Sequence, residues 1–204
     1  TVWMGDYGYV SVMPQVGALK LLPKDRALSF SHADEEARPH YYSVILKTAE
    51  QQNIKTEIAA ASRAAIFQFT FPAAEEARFV IQGINLNPEL TDPSNAYEDR
   101  IKTLKGYISI DTVNNEITGY NPDRQSAQIG PELPNFKGYF VIQPDKKIAS
   151  FGTWDNASNS PGSKEQYGTR SGAYINFRTT AGELVKVRIG TSFISVEQAR
   201  ENLQ

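Results

Sequence analysis

Two short stretches of the chain bring together the residue types that grip polar rings. One is Phe30-Ser31-His32-Ala33-Asp34-Glu35-Glu36-Ala37-Arg38-Pro39-His40-Tyr41-Tyr42, and the other is Trp3-Met4-Gly5-Asp6-Tyr7-Gly8. Aromatic faces stack on apolar ring faces, while carboxylates, imidazole and guanidinium hydrogen-bond hydroxyls. The rim of an ordinary β-sandwich carries similar residues, so this chemistry fits a ligand site and a plain surface equally well. A glycosidase needs two carboxyl groups facing each other across the scissile bond, about 6.5–9.5 Å apart for inversion or about 5–5.5 Å for retention. The run Asp34-Glu35-Glu36 does not specify such a pair, and Asp34 and Glu36 read as solvated surface.

Other reactive chemistry is thin. His32 and His40 have no second metal-ligand motif beside them, so they do not make a zinc pair. The chain has no GxSxG elbow, no Walker A loop and no dinucleotide fingerprint. The loop Asp155 to Asn159 offers oxygens without the ordered spacing of a calcium loop and reads as turn chemistry. Tryptophans are commonly buried anchors, which is the reading for Trp154. Trp3 differs because Gly5, Asp6 and Gly8 lie beside it, where a flexible backbone can expose its face. Arg63 follows Ala59-Ala60-Ala61-Ser62 and reads as a partner for a carboxylate at the core edge.

The elements that must position these residues are strands. Period-two alternation recurs in 9–13, 42–46, 54–58, 66–71, 78–81, 106–110, 139–142, 173–177 and 184–189. β-branched and aromatic residues dominate these runs, and Gly, Pro, Asn or Asp separate them. Turn residues at Asn114-Asn115 and Ala181-Gly182 mark two hairpins. Many short strands at short spacing predict an all-β fold of two packed antiparallel sheets. Residues 85–105 and 153–172 are expected to be long polar loops, the kind that carry function. Ser195-Val196-Glu197-Gln198 has the capping-box pattern and opens a helix, with the Gln198 side chain expected to reach back to the cap.

Composition narrows the partners. The 204 residues carry 21 Lys plus Arg against 23 Asp plus Glu, with no basic stripe to follow phosphates, so nucleic acid is not an expected partner. No apolar run is long enough to span a bilayer. Cysteine is absent, which rules out a disulfide scaffold and any thiol chemistry. The motif begins almost at Thr1 and the capped helix is cut short after about two turns, so further chain is expected on both sides.

Taken together, the quoted residues resemble the N-terminal domain of glycoside hydrolase family 92, the exo-acting α-mannosidases of bacterial glycan degraders. The resemblance rests on the Trp3–Gly8 opening with Met13-Pro14, on Phe30-Ser31-His32 with Glu35, Ala37, Pro39 and Tyr41-Tyr42, and on Phe71-Pro72 after Arg63. The closing stretch from Gly190 through Ser195 to Leu203 is similar to the family's lead into its helical domain. The resemblance implies a galactose-mutarotase-like sandwich over 1–194, with 195–204 starting a linker helix toward an (α/α)6 catalytic domain of the same chain. It implies an exported, periplasmic or extracellular enzyme that inverts the anomeric centre with calcium and removes terminal mannose, of α-1,2 type, from glycans such as N-glycans. The catalytic acid, base and calcium ligands are expected in the helical domain, so no catalytic or metal residue is assigned here. Trp3 is expected to contact the sugar, with Asp6, His32 and Glu35 as polar groups near the junction. Two departures stand out: His40 where the family usually has Gly, and Ala60-Ala61-Ser62 where it has a Thr-rich, acidic approach. The competing reading is a free-standing carbohydrate-binding or adhesion module without catalysis.

Overall fold

The computed structural model describes residues 10–84, 104–123, 133 and 135–204. Two antiparallel sheets face each other, as alternation predicts. The smaller has five strands in the order β1 (Ser11–Val16), β6 (Ala74–Gln82), β13 (Ser171–Thr179), β10 (Ser150–Asp155) and β11 (Ser158–Pro161). The larger has nine: β12 (Glu165–Gly168), β7 (Gly106–Asp111), β8 (Glu116–Asn121), β9 (Gly138–Pro144), β14 (Glu183–Ser192), β5 (Ala64–Phe71), β4 (Asn53–Ala60), β3 (Tyr41–Lys47) and β2 (Glu36–Arg38).

In β14, Val185, Val187 and Ile189 point inward and are buried, whereas Leu184, Lys186 and Arg188 point out. This is the two-residue period at work. Phe69 and Phe71 of the larger sheet interlock with Phe79 and Phe177 of the smaller, with centroids 4.9 Å apart for Phe69–Phe79 and 5.5 Å for Phe71–Phe177. A second cluster of Leu21, Val80, Trp154 and Tyr174 sits on the outer face of the five-stranded sheet. Trp154 fits only because Gly172 lies opposite it: a Cβ there would come within 2.7 Å of the indole.

The Asn114-Asn115 hairpin forms as expected and pairs β7 with β8, whereas the Ala181-Gly182 turn links β13 to β14 across the two sheets, so the second expected hairpin does not form. Asn115 (φ 54°) and Gly182 (φ 77°) take the left-handed conformations these turns require. Residues 153–172 are not the expected loop. Left-handed turns at Asn156 (φ 53°) and Gly162 (φ 74°) fold this polar stretch into the short strands β11 and β12. Both lie at sheet edges, where a polar strand meets water on its free side. The expected loop at 85–105 falls almost wholly outside the described residues.

After a single turn, α1 (Pro23–Arg26), the only longer helix among the described residues is α2 (Val196–Glu201). Its cap is as predicted: the Gln198 amide donates to Ser195 Oγ at 3.1 Å. The Gln198 side chain instead runs forward to Asn202, so the reciprocal half of the capping box does not form. The helix is too short to hold itself. It is held by the sheet, through Ala199 against Gly190 and through Arg200, which pairs with Glu116 at 2.7 Å.

Candidate polar site at the edge of the larger sheet

Residues 29–42 build one edge of the nine-stranded sheet. Ser31 caps a single 3-10 turn, His32–Asp34, by accepting from the Ala33 amide. That turn sets His32 and Glu35 side by side, and His32 Nδ1 lies 2.6 Å from Glu35 Oε2. The chain then enters β2, turns at Pro39-His40 and returns as β3, with Arg38 opposite Tyr41. His40 is not among the residues with positive φ, so this turn needs no glycine. The hairpin brings Tyr42 back to Glu35, and its hydroxyl donates to Glu35 Oε1.

Each oxygen of Glu35 therefore has its own partner. These bonds, from Tyr42 first and His32 second, hold the carboxyl below the usual carboxylate range, and the same contact raises the Tyr42 hydroxyl. A group kept anionic in this way is suited to accepting hydrogen bonds and unsuited to acting as a general acid, which needs a raised pKa. His32 is 87% exposed, so the edge of its ring away from Glu35 faces solvent. Phe30, half exposed, meets the imidazole edge-on at 5.4 Å. The result is an exposed aromatic pair with an oriented imidazole, backed by a fixed negative charge.

Of the four residues that the resemblance assigns to the sugar pocket and its junction, His32 and Glu35 come together here, while Trp3 and Asp6 lie outside the described residues. Tyr42, part of the quoted motif but not singled out for a role, completes the group. Asp34 and Glu36 are solvated as read and form surface pairs, Asp34 with Lys47 at 3.7 Å and Glu36 with Arg38. Trp154 is a buried anchor, as expected.

The neighbouring Tyr41 points to the opposite face of the sheet and meets another carboxylate. Glu57 Oε1 accepts from Tyr41 at 2.7 Å and Lys55 at 2.9 Å, and Oε2 accepts from Gln68 at 3.0 Å. With Tyr41 the largest cause, its pKa falls to about 2. On the same outer face the Ala-rich β4–β5 hairpin and Leu203 beyond α2 line an open apolar trough of about 320 Å³, with Ile66 and Arg188 on its floor. Phe193 and Ile194, the latter 74% exposed, extend the apolar surface along the same end of β14. Arg63 sits there with its guanidinium 5.7 Å from the Phe193 ring centroid. Among the described residues no three His, Asp or Glu side chains gather as a metal site, and no helix is long and apolar enough to cross a membrane.

The fold and sequence have clear relatives. The structure superposes on the family GH92 inverting mannosidase BT2199 from Bacteroides thetaiotaomicron with a TM-score of 0.77 and 27% identity over 95% of this chain. It also superposes on the family GH92 α-mannosidase BT3965 of the same organism, solved with mannoimidazole, with a TM-score of 0.71 and 24% identity over 96%. The GH92 family glycosyl hydrolase ccman5 gives 0.72 and 22% over 95%. The chain spans about a quarter of each of these proteins, 23%, 25% and 25% of their lengths. A search of curated proteins returns no significant match. The sequence profile of the glycosyl hydrolase family 92 N-terminal domain matches residues 1–192, so the chain belongs to that family.

Proposed function

We propose that this domain forms one wall of the active site of an exo-α-mannosidase that hydrolyses terminal mannose from glycans. The observation that carries the reading is the family match over 1–192, together with the oriented, anionic Glu35–His32 edge within the matched region. In this reading Glu35 keeps the imidazole turned toward solvent, and the imidazole hydrogen-bonds sugar hydroxyls. Phe30 offers an apolar edge beside it.

The reacting groups belong to a helical catalytic domain of the same protein, and calcium is required there to orient the terminal sugar. No step of the reaction is assigned to this chain. Its task is to bind and orient. The apolar trough beside α2 supports a docked partner domain, since surfaces of this kind are normally covered. Residues 195–204 then serve as the lead into that domain. Inversion, α-1,2 preference, N-glycans as source and an exported, periplasmic or extracellular setting go with the same proposal.

The test compares purified residues 1–204 with the product of the full reading frame on mannobioses of different linkage, with and without a calcium chelator. The full product is expected to release mannose, fastest from the α-1,2 isomer, and to lose activity with chelator. The 204-residue chain is expected to release none. Metal-dependent mannose release by the short chain would overturn the division of labour. Glycan binding by the short chain, with no activity in the full product, would favour the binding-module reading.

A further inference from the structure

Among the described residues, the outer face of the five-stranded sheet carries buried donors that have no acceptors. Trp154 is fully buried there, yet among these residues its indole Nε1–H has no hydrogen-bond partner, and neither does the buried Nε of Arg170. Gln82, Gly172 and Trp154 lie opposite one another on β6, β13 and β10 and share this face. Arg170 lies just before β13, close enough to Arg26 for the two positive charges to repel.

Arg26 reaches over this cluster from α1, with its guanidinium carbon 6.0 Å from the Trp154 ring centroid. It is buried, and its bonds go to two neutral acceptors, the Leu21 carbonyl at 2.5 Å and Gln82 Oε1. Burial first, and the nearby Arg170 second, bring its pKa down to about 10. No carboxylate pairs with either arginine among the described residues. Asp155 also has a buried oxygen without a partner, but its side chain faces Gly168 and Ser171 on the other side of the sheet. Lys20 and Glu50 line the small cleft on the flank of Arg26, and Tyr174 packs within the Trp154 cluster.

A buried cation beside a second cation, next to an unused indole N–H, is an arrangement that negative charge relieves. A water molecule could accept from one or two of these donors but would leave the charge uncompensated. We propose that this face binds an oxyanion, a phosphate or carboxylate group, held by the Trp154 indole N–H and the Arg170 and Arg26 guanidinium groups. Arg170, only partly buried, stands at the rim and is the point of entry. The proposal is independent of the mannosidase reading.

The chain has two tryptophans, so Trp3→Phe leaves Trp154 as the sole indole reporter. Inorganic phosphate and acetate are titrated separately into this variant, against chloride at equal ionic strength, while Trp154 emission and Tm are followed. A saturable emission shift is expected, with a Tm rise of about 3–6 °C at tenfold excess over Kd. Both responses are expected to vanish in Arg170→Gln, whose cooperative melt without added anion shows that it is folded. Arg170→Lys, which keeps the charge and loses the fork, should bind about tenfold more weakly. A response to phosphate alone assigns a tetrahedral anion, and a response to acetate as well assigns a carboxylate. No saturable response to either, or the same response in Arg170→Gln, overturns the proposal.

Discussion

Glu35 and Glu57 are the same residue type, each bonded to one of two consecutive tyrosines, yet they are built for different ends. Glu57 lies within the sheet, and Tyr41, Lys55 and Gln68 together occupy both its oxygens. Those donors come from three neighbouring strands, so the carboxyl ties the sheet together. Glu35 lies at the sheet edge, and one of its two partners is an imidazole standing in solvent. The first arrangement spends its hydrogen bonds on holding strands β3, β4 and β5 in register. The second spends one on stiffness, through Tyr42, and one on aiming a side chain outward. Low pKa alone does not separate them, because both carboxyls are depressed. What separates them is position: Glu57 joins three strands within the sheet, whereas Glu35 holds an imidazole that is 87% exposed at the sheet edge.

The contrast can be broken most sharply by activity. In the full-length protein, Glu35→Gln should lower kcat/KM for mannose release by about 10–100-fold, the range for losing a charge-assisted hydrogen bond. Glu57→Gln should leave it within about twofold. Equal losses at both positions would erase the distinction drawn here.

Stability should show the reverse order. Glu57→Ala strands the Tyr41 hydroxyl and the Gln68 amide and is expected to cost about 1–3 kcal/mol in chemical unfolding. The pH dependence follows from its depressed pKa: the contribution is complete above the ordinary carboxylate value of 4.5 and disappears as pH falls toward about 2. Glu57→Gln should therefore flatten the acid limb of the stability curve in that window. An unchanged acid limb would mean that the network contributes nothing to folding.

The smallest effect sharpens the comparison from the other side. His32→Ala removes an exposed ring and should shift Tm by no more than about 2 °C. It should nevertheless reduce sugar turnover in the full-length protein. A large fall in Tm would recast the imidazole as a structural prop.

Much of this was legible in the chain, and the limits have physical causes. His32 and Glu35 sit three residues apart, so one tight turn brings them together, and that spacing can be read directly. Tyr42 could not be assigned to Glu35 in this way, because their contact depends on the register of the β2–β3 hairpin, which pairs Arg38 with Tyr41. Glu57 and Tyr41 are further apart still and meet only across two strands. The sandwich itself follows from alternation, whose inward set in β14 is apolar from Val185 through Ile189. Strands β11 and β12 are not legible as strands because they are short and polar, and their pairing depends on an edge position where solvent satisfies one side. The unmatched donors around Trp154 left no trace in the chain, because Arg26, Gln82 and Arg170 are scattered along it.

Gly190 has a consequence beyond its own backbone. A Cβ there would stand 2.1 Å from the Ala199 carbonyl oxygen, so even a methyl group would prise α2 off the sheet. A short rod seated this closely behaves like the stop on a hinge: its direction is set by the flat surface under it. Whatever the rod carries inherits that bearing, and a Gly190→Ala change would mis-aim it while the sandwich beneath stayed intact.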